Sequence, residues 1–503
     1  MDYSRLSLFF FAATIYIALR SIYRLYFHPL HNIPGPKLAI ITHLYEFYYD
    51  IVLGGMYLFE IEKMHEKYGP IVRINPREIH ISDPQFYDEI YAAGARRRNK
   101  DAATASFSGM LLSTIATVDH DLHRSRRKLT ENFFSKQFIY RFSHMVDAKV
   151  QKLMQRLEGF YKSGKVVQMD DAFSALTSDV ITHYCYGKSW DYLDDENLRN
   201  DVRKAVGDIT GIIHVNRIFP IFISTIRKLP LSLFYLLQPG KRGLLDMQKA
   251  IYEQSNQAIQ KDEPSENKRK TIYDQLTDPS VPLEERSLQR LQDEGLLLLS
   301  AGTETTARAL TMASFHIAND AEVRNQLRAE LKRVMPTPTS TVTWTELEKL
   351  PYLTGTVYES LRLGGFLTLR SARVAPTETL TYNGHVIPPG TPMSSSSYFI
   401  HKGPSIFPEP EKFSPARWIL NGETNTSLTK YITSFTRGSR ICLGMHLAYS
   451  ELYLTLAYYV RRFDIELHNT TLEDLKIQRD YGVGITHRGD PSVHAKIVKV
   501  IQD

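Results

Sequence analysis

Apolar residues recur at three- and four-residue spacing through most of the chain beyond about residue 120, with charged or polar residues between them. This spacing places the apolar side chains on one face of a helix. The clearest stretch covers residues 283–327 and contains no proline. It predicts one very long helix followed by a shorter one.

Short apolar segments bounded by turn residues predict a small amount of sheet. Residues 69–76 and 78–82 are predicted to form two short strands with a turn between them. Strand patterns return at residues 379–386 and near the C-terminus. The predicted fold class is therefore mainly α with a minor β-sheet portion.

The N-terminal segment has the composition of a membrane anchor. Residues 6–19 are uncharged and mostly apolar, and the apolar character continues to Phe27, interrupted by Arg20 and Arg24. A span needs roughly 20 residues, which this segment supplies if both arginines reach the headgroups. A cleaved signal peptide is the alternative, but no small-x-small cleavage site follows the apolar run. Cations are richer on the C-terminal flank, which predicts a cytosolic position for the rest of the chain.

The domain boundaries follow from this pattern. We expect residues 1–27 to be the anchor and residues 28–37 to be a stiff, extended, proline-rich hinge. Residues 38–503 are expected to form one large domain, because no linker, repeat or long charge block divides them.

Composition narrows the function classes. The chain has 503 residues, of which 43% are hydrophobic and 11% aromatic, enough for a large core. Its two cysteines, Cys185 and Cys442, exclude a disulfide scaffold and favour a reducing compartment. The net charge of +6 includes basic clusters at residues 96–100 and 124–128, which suit an acidic lipid, an acidic protein, an anionic cofactor or plain solvent. No nucleic-acid recognition motif accompanies this charge, so no nucleic-acid partner is predicted.

The sequence around Cys442 carries the most specific chemistry. Residues 435–444 read Phe-Thr-Arg-Gly-Ser-Arg-Ile-Cys-Leu-Gly. One thiol cannot hold an iron–sulfur cluster, which typically takes four cysteines, but it can be an axial ligand of haem iron. The alternative is a buried free cysteine in a tight loop. The spacing resembles Phe-x-x-Gly-x-Arg-x-Cys-x-Gly, the ligand loop of the cytochrome P-450 family. That resemblance implies Cys442 as the iron ligand and Phe435, Gly438 and Arg440 as cofactor-binding residues.

A second motif lies in the predicted long helix. Residues 301–306 read Ala-Gly-Thr-Glu-Thr-Thr, and Gly302 permits a local opening of the helix or the close approach of a ligand. An acid followed by hydroxyls at such an opening suits a proton relay, whereas a polar patch on an amphipathic helix is the alternative. The motif resembles the family's oxygen-activation sequence, which implies Glu304 and Thr305 as catalytic residues.

A third motif pairs Glu359 with Arg362, three residues apart on one face of a predicted helix. The two resemble the family's Glu-x-x-Arg pair, which is joined by a second arginine. Arg417 matches that arginine, although its segment reads Pro-Ala-Arg-Trp where glutamate is usual in place of alanine. The resemblance implies a structural triad of Glu359, Arg362 and Arg417 that braces the cysteine loop.

Several basic residues are candidates for binding the haem propionates. His123 and Arg127 are four residues apart and resemble the family's Trp-x-x-x-Arg element, with histidine in place of tryptophan. Arg373 and Arg440 are the other candidates, since a guanidinium can bind a carboxylate through two hydrogen bonds. Solvated surface is the alternative for each of them.

The anchor, the hinge and four ordered motifs together resemble membrane-bound, class II-type cytochrome P-450 monooxygenases. The resemblance implies the P-450 fold with an N-terminal transmembrane helix, haem b as cofactor, and a single-pass protein of the endoplasmic reticulum with its catalytic domain facing the cytosol. The chain shows no dinucleotide fingerprint, so we expect electrons from NADPH–cytochrome P-450 reductase, with cytochrome b5 as an optional second donor. One alternative is a haem-thiolate enzyme that catalyses an atypical oxidation, ring closure or desaturation. A non-catalytic haem-binding sensor is another, which the Glu304–Thr305 pair disfavours.

The substrate class is predicted from the same resemblance and from the candidate pocket walls. Residues 65–76 and 119–124 are similar to filamentous-fungal members that act on secondary metabolites. The candidate walls are apolar with few charges: residues 102–117, 212–237, the helix before Ala301, 366–371 and 483–485. Such walls favour a bulky, neutral, lipophilic substrate such as a terpenoid or polyketide. Each of these segments is also apolar enough to belong to the core.

Overall fold

Helix dominates the structure, as the spacing of apolar residues predicts. The computed structural model describes residues 3–198, 201–219, 221, 242–260, 271–364, 367–489 and 492–502. Helix accounts for 57% and strand for 10% of the structure, so the mainly α fold class with a minor β-sheet portion is confirmed. The longer helices are α1 (Tyr3–Ile22), α2 (Tyr57–Tyr68), α3 (His120–Lys128), α4 (Lys136–Ser163), α5 (Met169–Tyr186), α6 (Asp201–Gly211), α7 (Arg242–Gln260), α8 (Leu288–Asn319), α9 (Ala321–Leu331), α10 (Pro351–Gly364) and α11 (Met445–Arg462).

Short helical segments connect these elements. They are Lys37–Ile41, Leu44–Phe47, Tyr87–Ile90, Ala102–Ala105, Ile213–Ile218, Ile272–Leu276, Trp344–Leu347, Ser397–His401 and Thr426–Thr429, with π-helical turns at Tyr23–Phe27 and Tyr48–Val52. Turns of 3-10 helix occur at Pro84–Phe86, Ser106–Ser108, Tyr192–Asp194, Leu283–Arg286, Pro415–Trp418, Gly438–Arg440 and Leu472–Asp474.

The long helix α8 organises the core. It ends at Asn319, and the carboxylate of the next residue, Asp320, accepts hydrogen bonds from Glu322 N (2.9 Å) and Val323 N (3.1 Å) and so begins α9. The predicted long helix followed by a shorter one is therefore confirmed. α8 packs against α5, α10 and α11, and Cys185 of α5 is buried in this core with 2% of its surface exposed.

The strands form small sheets around the helical core. They are β1 (Ile71–Arg73), β2 (Ile79–Ile81), β3 (Asn99–Lys100), β4 (Val167–Gln168), β5 (Arg373–Val374), β6 (Leu380–Tyr382), β7 (His385–Ile387), β8 (Pro392–Ser394), β9 (Ile419–Leu420), β10 (Glu423–Thr424), β11 (Phe463–Leu467), β12 (Arg479–Asp480), β13 (Gly484–Ile485) and β14 (His494–Val500). β1 and β2 form the predicted hairpin, and β6 and β7 lie at the predicted strand pattern.

One five-stranded sheet matters for the site. Its order is β1-β2-β8-β5-β3, in which β2 and β8 are parallel and the other pairs are antiparallel. A three-stranded sheet has the order β11-β14-β4. The larger sheet carries β3 and β5 on one edge, so residues 99–100 and 373–374 are neighbours although they lie far apart in sequence.

The N-terminal segment forms an exposed helix. α1 continues through Tyr23–Phe27, and Leu6–Phe27 has a mean hydropathy of 1.6 over a span long enough to cross a membrane, with none of it buried inside the protein. The hinge differs from the expected extended form. His31 N donates to His28 O and Ile33 N donates to Leu30 O, so the chain turns here, because Leu30 and Ile33 are buried against the domain.

Candidate functional site

Cys442 lies in a loop between the turn Gly438–Arg440 and the start of α11. Its amide donates to Phe435 O at 2.9 Å, which closes the loop. Cys442 is exposed, yet burial raises the pKa of its thiol, while the Gly444 amide and Arg127 act in the opposite direction. The thiol is accessible to solvent, yet enough protein surrounds it to disfavour the charged thiolate. It therefore lines a hollow inside the molecule.

Gly438 holds the cysteine loop against the rest of the domain. Its φ is +74°, and a Cβ there would lie 2.0 Å from Tyr91 O and 2.4 Å from Ala92 O. Only glycine combines this backbone conformation with such a close approach. The half-buried ring of Phe435 packs 5.2 Å from that of Tyr449 on α11, so both ends of the loop are fixed.

Sheet register places two cations side by side near this loop. Lys100 of β3 lies directly opposite Arg373 of β5 in an antiparallel pair, where like charges destabilise a sheet. Burial, then Arg373 and Arg440, lower the pKa of Lys100 well below its ordinary value. Burial, then Arg373, lower the pKa of Arg440 to about 9. The protein therefore concentrates positive charge at this point.

Helix α3 adds His123 and Arg127 to the same region. Burial, then Arg440 and Arg127, lower the pKa of His123 to about 2, so its imidazole is neutral at pH 7. In the described chain, two carboxylates reach these groups: Glu131 lies 4.0 Å from Arg127 Nε, and Asp119 raises the pKa of Arg440. Both acids are exposed. We call Lys100, His123, Arg127, Arg373 and Arg440 the basic cluster.

Hydrogen bonds from the basic cluster fix the backbone around Cys442. Arg440 donates to Thr117 O (2.7 Å), Val118 O (2.7 Å) and Asp119 O (3.2 Å). Arg127 Nη1 donates to Ile441 O at 2.6 Å. Arg440 thus joins the cysteine loop to the segment that precedes α3, and Arg127 joins it to α3 itself.

The residues present fit a haem. The basic cluster has more positive than negative charge in a partly buried position, and two carboxylates such as the propionates would balance it. Cys442 lies close enough to this cluster for Arg127 to act on its thiol electrostatically, and its side chain faces a hollow there. The cluster contains the four residues predicted to bind the propionates, together with Lys100, which in the sequence is only one member of a basic run. Its pairing with Arg373 depends on sheet register, which the sequence around Lys100 does not contain.

The 301–306 motif lies within α8, which continues as α-helix without interruption. A Cβ at Gly302 would lie 2.6 Å from Ile181 Cγ1 of α5. The glycine therefore admits the close approach of α5, and the local opening that it would permit is not observed. Thr305 Oγ1 donates to Ala301 O at 2.8 Å. Ala301 is exposed although α8 is central to the core, so this turn also faces a hollow.

Glu304 does not face the same way as Thr305. Ser174 Oγ donates to Glu304 Oε1 at 2.9 Å, and Arg203 Nε lies 3.7 Å from Oε2. Successive residues of an α-helix are about 100° apart around its axis. The acid is therefore bound to α5 and α6 while the hydroxyl bonds along α8.

The structure brings the three predicted triad residues together. Glu359 Oε2 accepts from Arg362 Nε at 2.5 Å, and Oε1 accepts from Arg417 Nε at 2.8 Å. The side chains of Glu359 and Arg362 are fully buried. Both arginines also donate to Lys412 O, at 3.0 and 3.2 Å, so α10 is tied to the segment that leads towards the cysteine loop.

The candidate pocket walls are only partly described. Pro220, residues 222–237 and Phe366 lie outside the described residues. Among the others, Leu367 pairs with Val483 in an isolated bridge and has 44% of its surface exposed. Asn216 Nδ2 donates to Phe107 O at 3.3 Å, which joins the segment Ile213–Ile218 to residues 102–117. Two pairs of candidate walls are thus adjacent in space.

Comparison with known proteins places these features in one family. Residues 34–489 match the family model for cytochrome P-450. Conidiogenone synthase PchP450 of Penicillium rubens is 45% identical over 479 residues, covering 95% of this chain and 96% of that protein. Cytochrome P-450 monooxygenase aflU of Aspergillus parasiticus is 42% identical over 493 residues, covering 96% of each. Cytochrome P-450 monooxygenase astB of Aspergillus terreus is 40% identical over 497 residues, covering 97% of this chain and 96% of that protein.

Proposed function

The chain belongs to the cytochrome P-450 family of haem-dependent monooxygenases, and we propose that it hydroxylates or oxidises a lipophilic secondary metabolite of the terpenoid or polyketide kind. The observation that carries this proposal is the exposed thiol of Cys442. It lies beside a basic cluster whose positive charge the nearby carboxylates do not neutralise. In the proposed site Cys442 would ligate the haem iron through its thiolate, the basic cluster would bind the propionates, and Phe435 and Gly438 would shape the loop. When bound, the haem supplies the reductive activation of O2 needed to oxidise an unactivated carbon.

The chain's own contribution to proton delivery is assigned to Thr305 and Glu304. The Thr305 hydroxyl gives its hydrogen to Ala301 O, so its oxygen can accept a hydrogen bond from water in the hollow. Glu304 is bound by Ser174 and lies near Arg203. Glu304 must leave both partners to carry a proton to Thr305, and Thr305 must release Ala301 O to pass a proton on. Thr305 is then the immediate donor and Glu304 the acid that resupplies it.

Electrons are proposed to reach the site from outside this chain. Members of the family work with a reductase as redox partner, and we assign NADPH–cytochrome P-450 reductase to this role, with cytochrome b5 as an optional second donor. Arg124 and Lys128 are exposed on α3, the helix that also carries His123 and Arg127. Cations so placed suit an acidic docking surface, because complementary charge speeds association.

The cellular position is also a proposal. The apolar helix Leu6–Phe27 is consistent with a membrane anchor, and we assign a single span in the endoplasmic reticulum with residues 38–503 facing the cytosol. The proline-rich segment then joins the span to the haem-thiolate catalytic domain.

The axial ligand is tested by replacing Cys442 with histidine. Reduced parent protein should give the red-shifted carbonyl band that needs a thiolate opposite carbon monoxide, and the variant should not. Cys185→Ser is the matched control, since Cys185 is buried in the core and should keep the band. A surviving band in the Cys442 variant would contradict the assignment.

The substrate class and the proton donor are tested on the same preparation. Sesquiterpenoid, diterpenoid and polyketide scaffolds should shift the ferric haem from low to high spin, whereas small charged acids should not. Thr305→Ala should keep the carbonyl band but divert NADPH electrons to hydrogen peroxide, with a loss of product formation of about 10²–10⁴. Full coupling in that variant would remove Thr305 from the mechanism.

A further inference from the structure

Two neighbouring carboxylates on α8 bind the backbone of a distant loop. Asp293 and Glu294 are buried, with 4% and 1% of their surfaces exposed. Leu112 N donates to Asp293 Oδ2 at 2.8 Å. Glu294 Oε2 accepts from Thr114 N at 2.8 Å and from Thr114 Oγ1 at 3.0 Å. Residues 111–118, which we call the pocket loop, are therefore attached to α8 through their amides.

A chain of ion pairs completes this attachment. Arg290 Nη1 donates to Glu294 Oε2 at 2.5 Å, and Arg290 Nε donates to Glu285 Oε2 at 3.1 Å. Glu285 also accepts from Arg126 Nε of α3, at 2.9 and 3.0 Å. Arg126 in turn donates to Leu112 O at 3.2 Å. Charge-assisted hydrogen bonds of this kind are stronger than neutral ones. The loop is bound through its N–H groups by Asp293 and Glu294 and through a carbonyl group by Arg126.

The other end of the pocket loop is bound to the haem side of the site. Arg440 donates to the carbonyls of Thr117 and Val118, and Lys100 N donates to Val118 O at 3.0 Å. Arg126 Nη1 donates to Thr117 Oγ1 at 2.8 Å. The loop therefore spans from the first two turns of α8 to the basic cluster, with both ends fixed by charged residues.

The position along α8 places this loop beside the hollow. Glu294 precedes Ala301 by seven residues, which is about two helical turns and puts both on one face about 10 Å apart. Ala301 is exposed to the hollow. Leu111, Leu112 and Ile115 are half-buried and apolar. The loop is therefore bound to the same face of α8 that is exposed at Ala301, about two turns further along the helix.

We propose that Asp293 and Glu294 are positioning residues that set the shape of the substrate pocket by holding the pocket loop. The inference rests on the proposed function, since it names residues that govern which lipophilic molecules fit the same site. The carboxylates act through the amides of Leu112 and Thr114 and through the Thr114 hydroxyl. Their strong hydrogen bonds keep the loop in place while its apolar side chains meet the ligand, and a wall displaced by a fraction of an ångström changes what fits.

The test compares two azoles whose nitrogen ligates haem iron, namely clotrimazole, which is bulky and lipophilic, and imidazole, which is too small to reach the wall. In Glu294→Gln and in Thr114→Val we expect the dissociation constant of clotrimazole to rise about five- to tenfold while that of imidazole changes less than about twofold. Thr114→Val removes one hydroxyl and keeps the side chain's shape, so it decides the question if Glu294→Gln fails to incorporate haem. Glu322→Gln, at an exposed position of α9, is the control for loss of a carboxylate and should match the parent with both azoles.

Hydrogen exchange gives a readout that needs no ligand. The amides of Leu112 and Thr114 should exchange faster in Glu294→Gln than in the parent, and those of residues 438–444 should not. Unchanged clotrimazole binding in both variants, or equal weakening of both azoles, would overturn the proposal. Loss of the carbonyl band in the parent protein would instead overturn the proposed function, so the two failures are distinguishable.

Discussion

Gly438 is the residue on which the geometry of the cysteine loop depends most directly. Its positive φ and the carbonyls of Tyr91 and Ala92 leave no room for a side chain. The backbone strain of a positive φ costs alanine about 1–2 kcal/mol, and the overlap with two carbonyl oxygens adds to that cost.

We therefore expect Gly438→Ala to displace the loop and to lose most of its haem. The measurement is haem content per polypeptide, read from the reduced carbonyl band. Gly164→Ala is the matched control, because Gly164 has a φ of +66° but open space around a Cβ. It should keep its haem, and equal losses in both variants would show that strain, not the close approach, is responsible.

His401 makes a pH-dependent contribution to stability. Burial, then Arg362, lower its pKa to about 3, and its Nε2 accepts a hydrogen bond from Thr433 N at 3.1 Å, which requires the neutral ring. The folded pKa lies below the unfolded value of about 6.5. The unfolded state therefore takes up the proton first as the pH falls, and stability is lost from about pH 6.5 down to about pH 3.

Replacing His401 with glutamine removes the titrating group while keeping a hydrogen-bond acceptor. Between pH 7 and pH 5 the parent should lose about 2 kcal/mol more of its free energy of unfolding than His401→Gln. Urea unfolding at the two pH values measures the difference, and other titrating groups cancel in the comparison. Identical losses in the two proteins would show that the pKa of His401 does not differ between the folded and unfolded states.

At the scale of elements, the contact between α5 and α8 depends on a single missing side chain. Gly302 lets Ile181 approach α8 within 2.6 Å of where a Cβ would stand. This gives the glycine a packing role in addition to any role in catalysis. Because the two helices form the centre of the core, a methyl group there should be felt as overpacking.

Gly302→Ala should destabilise the protein by about 1–3 kcal/mol. Gly159→Ala, inside α4 with open space around its Cβ, should instead stabilise by up to about 1 kcal/mol, since alanine is the better helix former. Adding Ile181→Ala to Gly302→Ala should cost less than the sum of the two single changes, because each relieves the other. Strict additivity in urea unfolding would contradict the contact.

At the scale of the whole molecule, the exposed apolar helix Leu6–Phe27 is expected to lie in a membrane. Deleting residues 1–27 should move much of the protein from the membrane pellet to the supernatant after centrifugation, with its carbonyl band intact. None of the apolar span is buried inside the protein, so its removal should leave the haem site unchanged. A pellet fraction equal to that of the full chain would show that other surfaces hold the membrane.

Orientation is tested by two sequons, at Asn425 and Asn469. Neither should be glycosylated if the domain faces the cytosol. A mobility shift on endoglycosidase treatment would reverse the assigned topology.

The sequence by itself determined those features of this protein that depend on residues near one another in the chain. The three- and four-residue spacing of apolar positions predicts α8 and α9, because helix formation depends on residues that are near in sequence. The residues of the cysteine loop are likewise contiguous, so their spacing can be recognised from the sequence alone. The same holds for Glu359 and Arg362, which share a helical face.

What only the tertiary structure decided are relations between distant segments. Lys100 joins the basic cluster through its register with Arg373, and Glu304 turns towards Ser174 although it adjoins Thr305 in sequence. Asp293 and Glu294 look like ordinary charges on an amphipathic helix until their partners in the pocket loop are seen. In each case the partner is more than a hundred residues away, and a side chain's partner at that distance depends on how the elements pack, which no local pattern encodes.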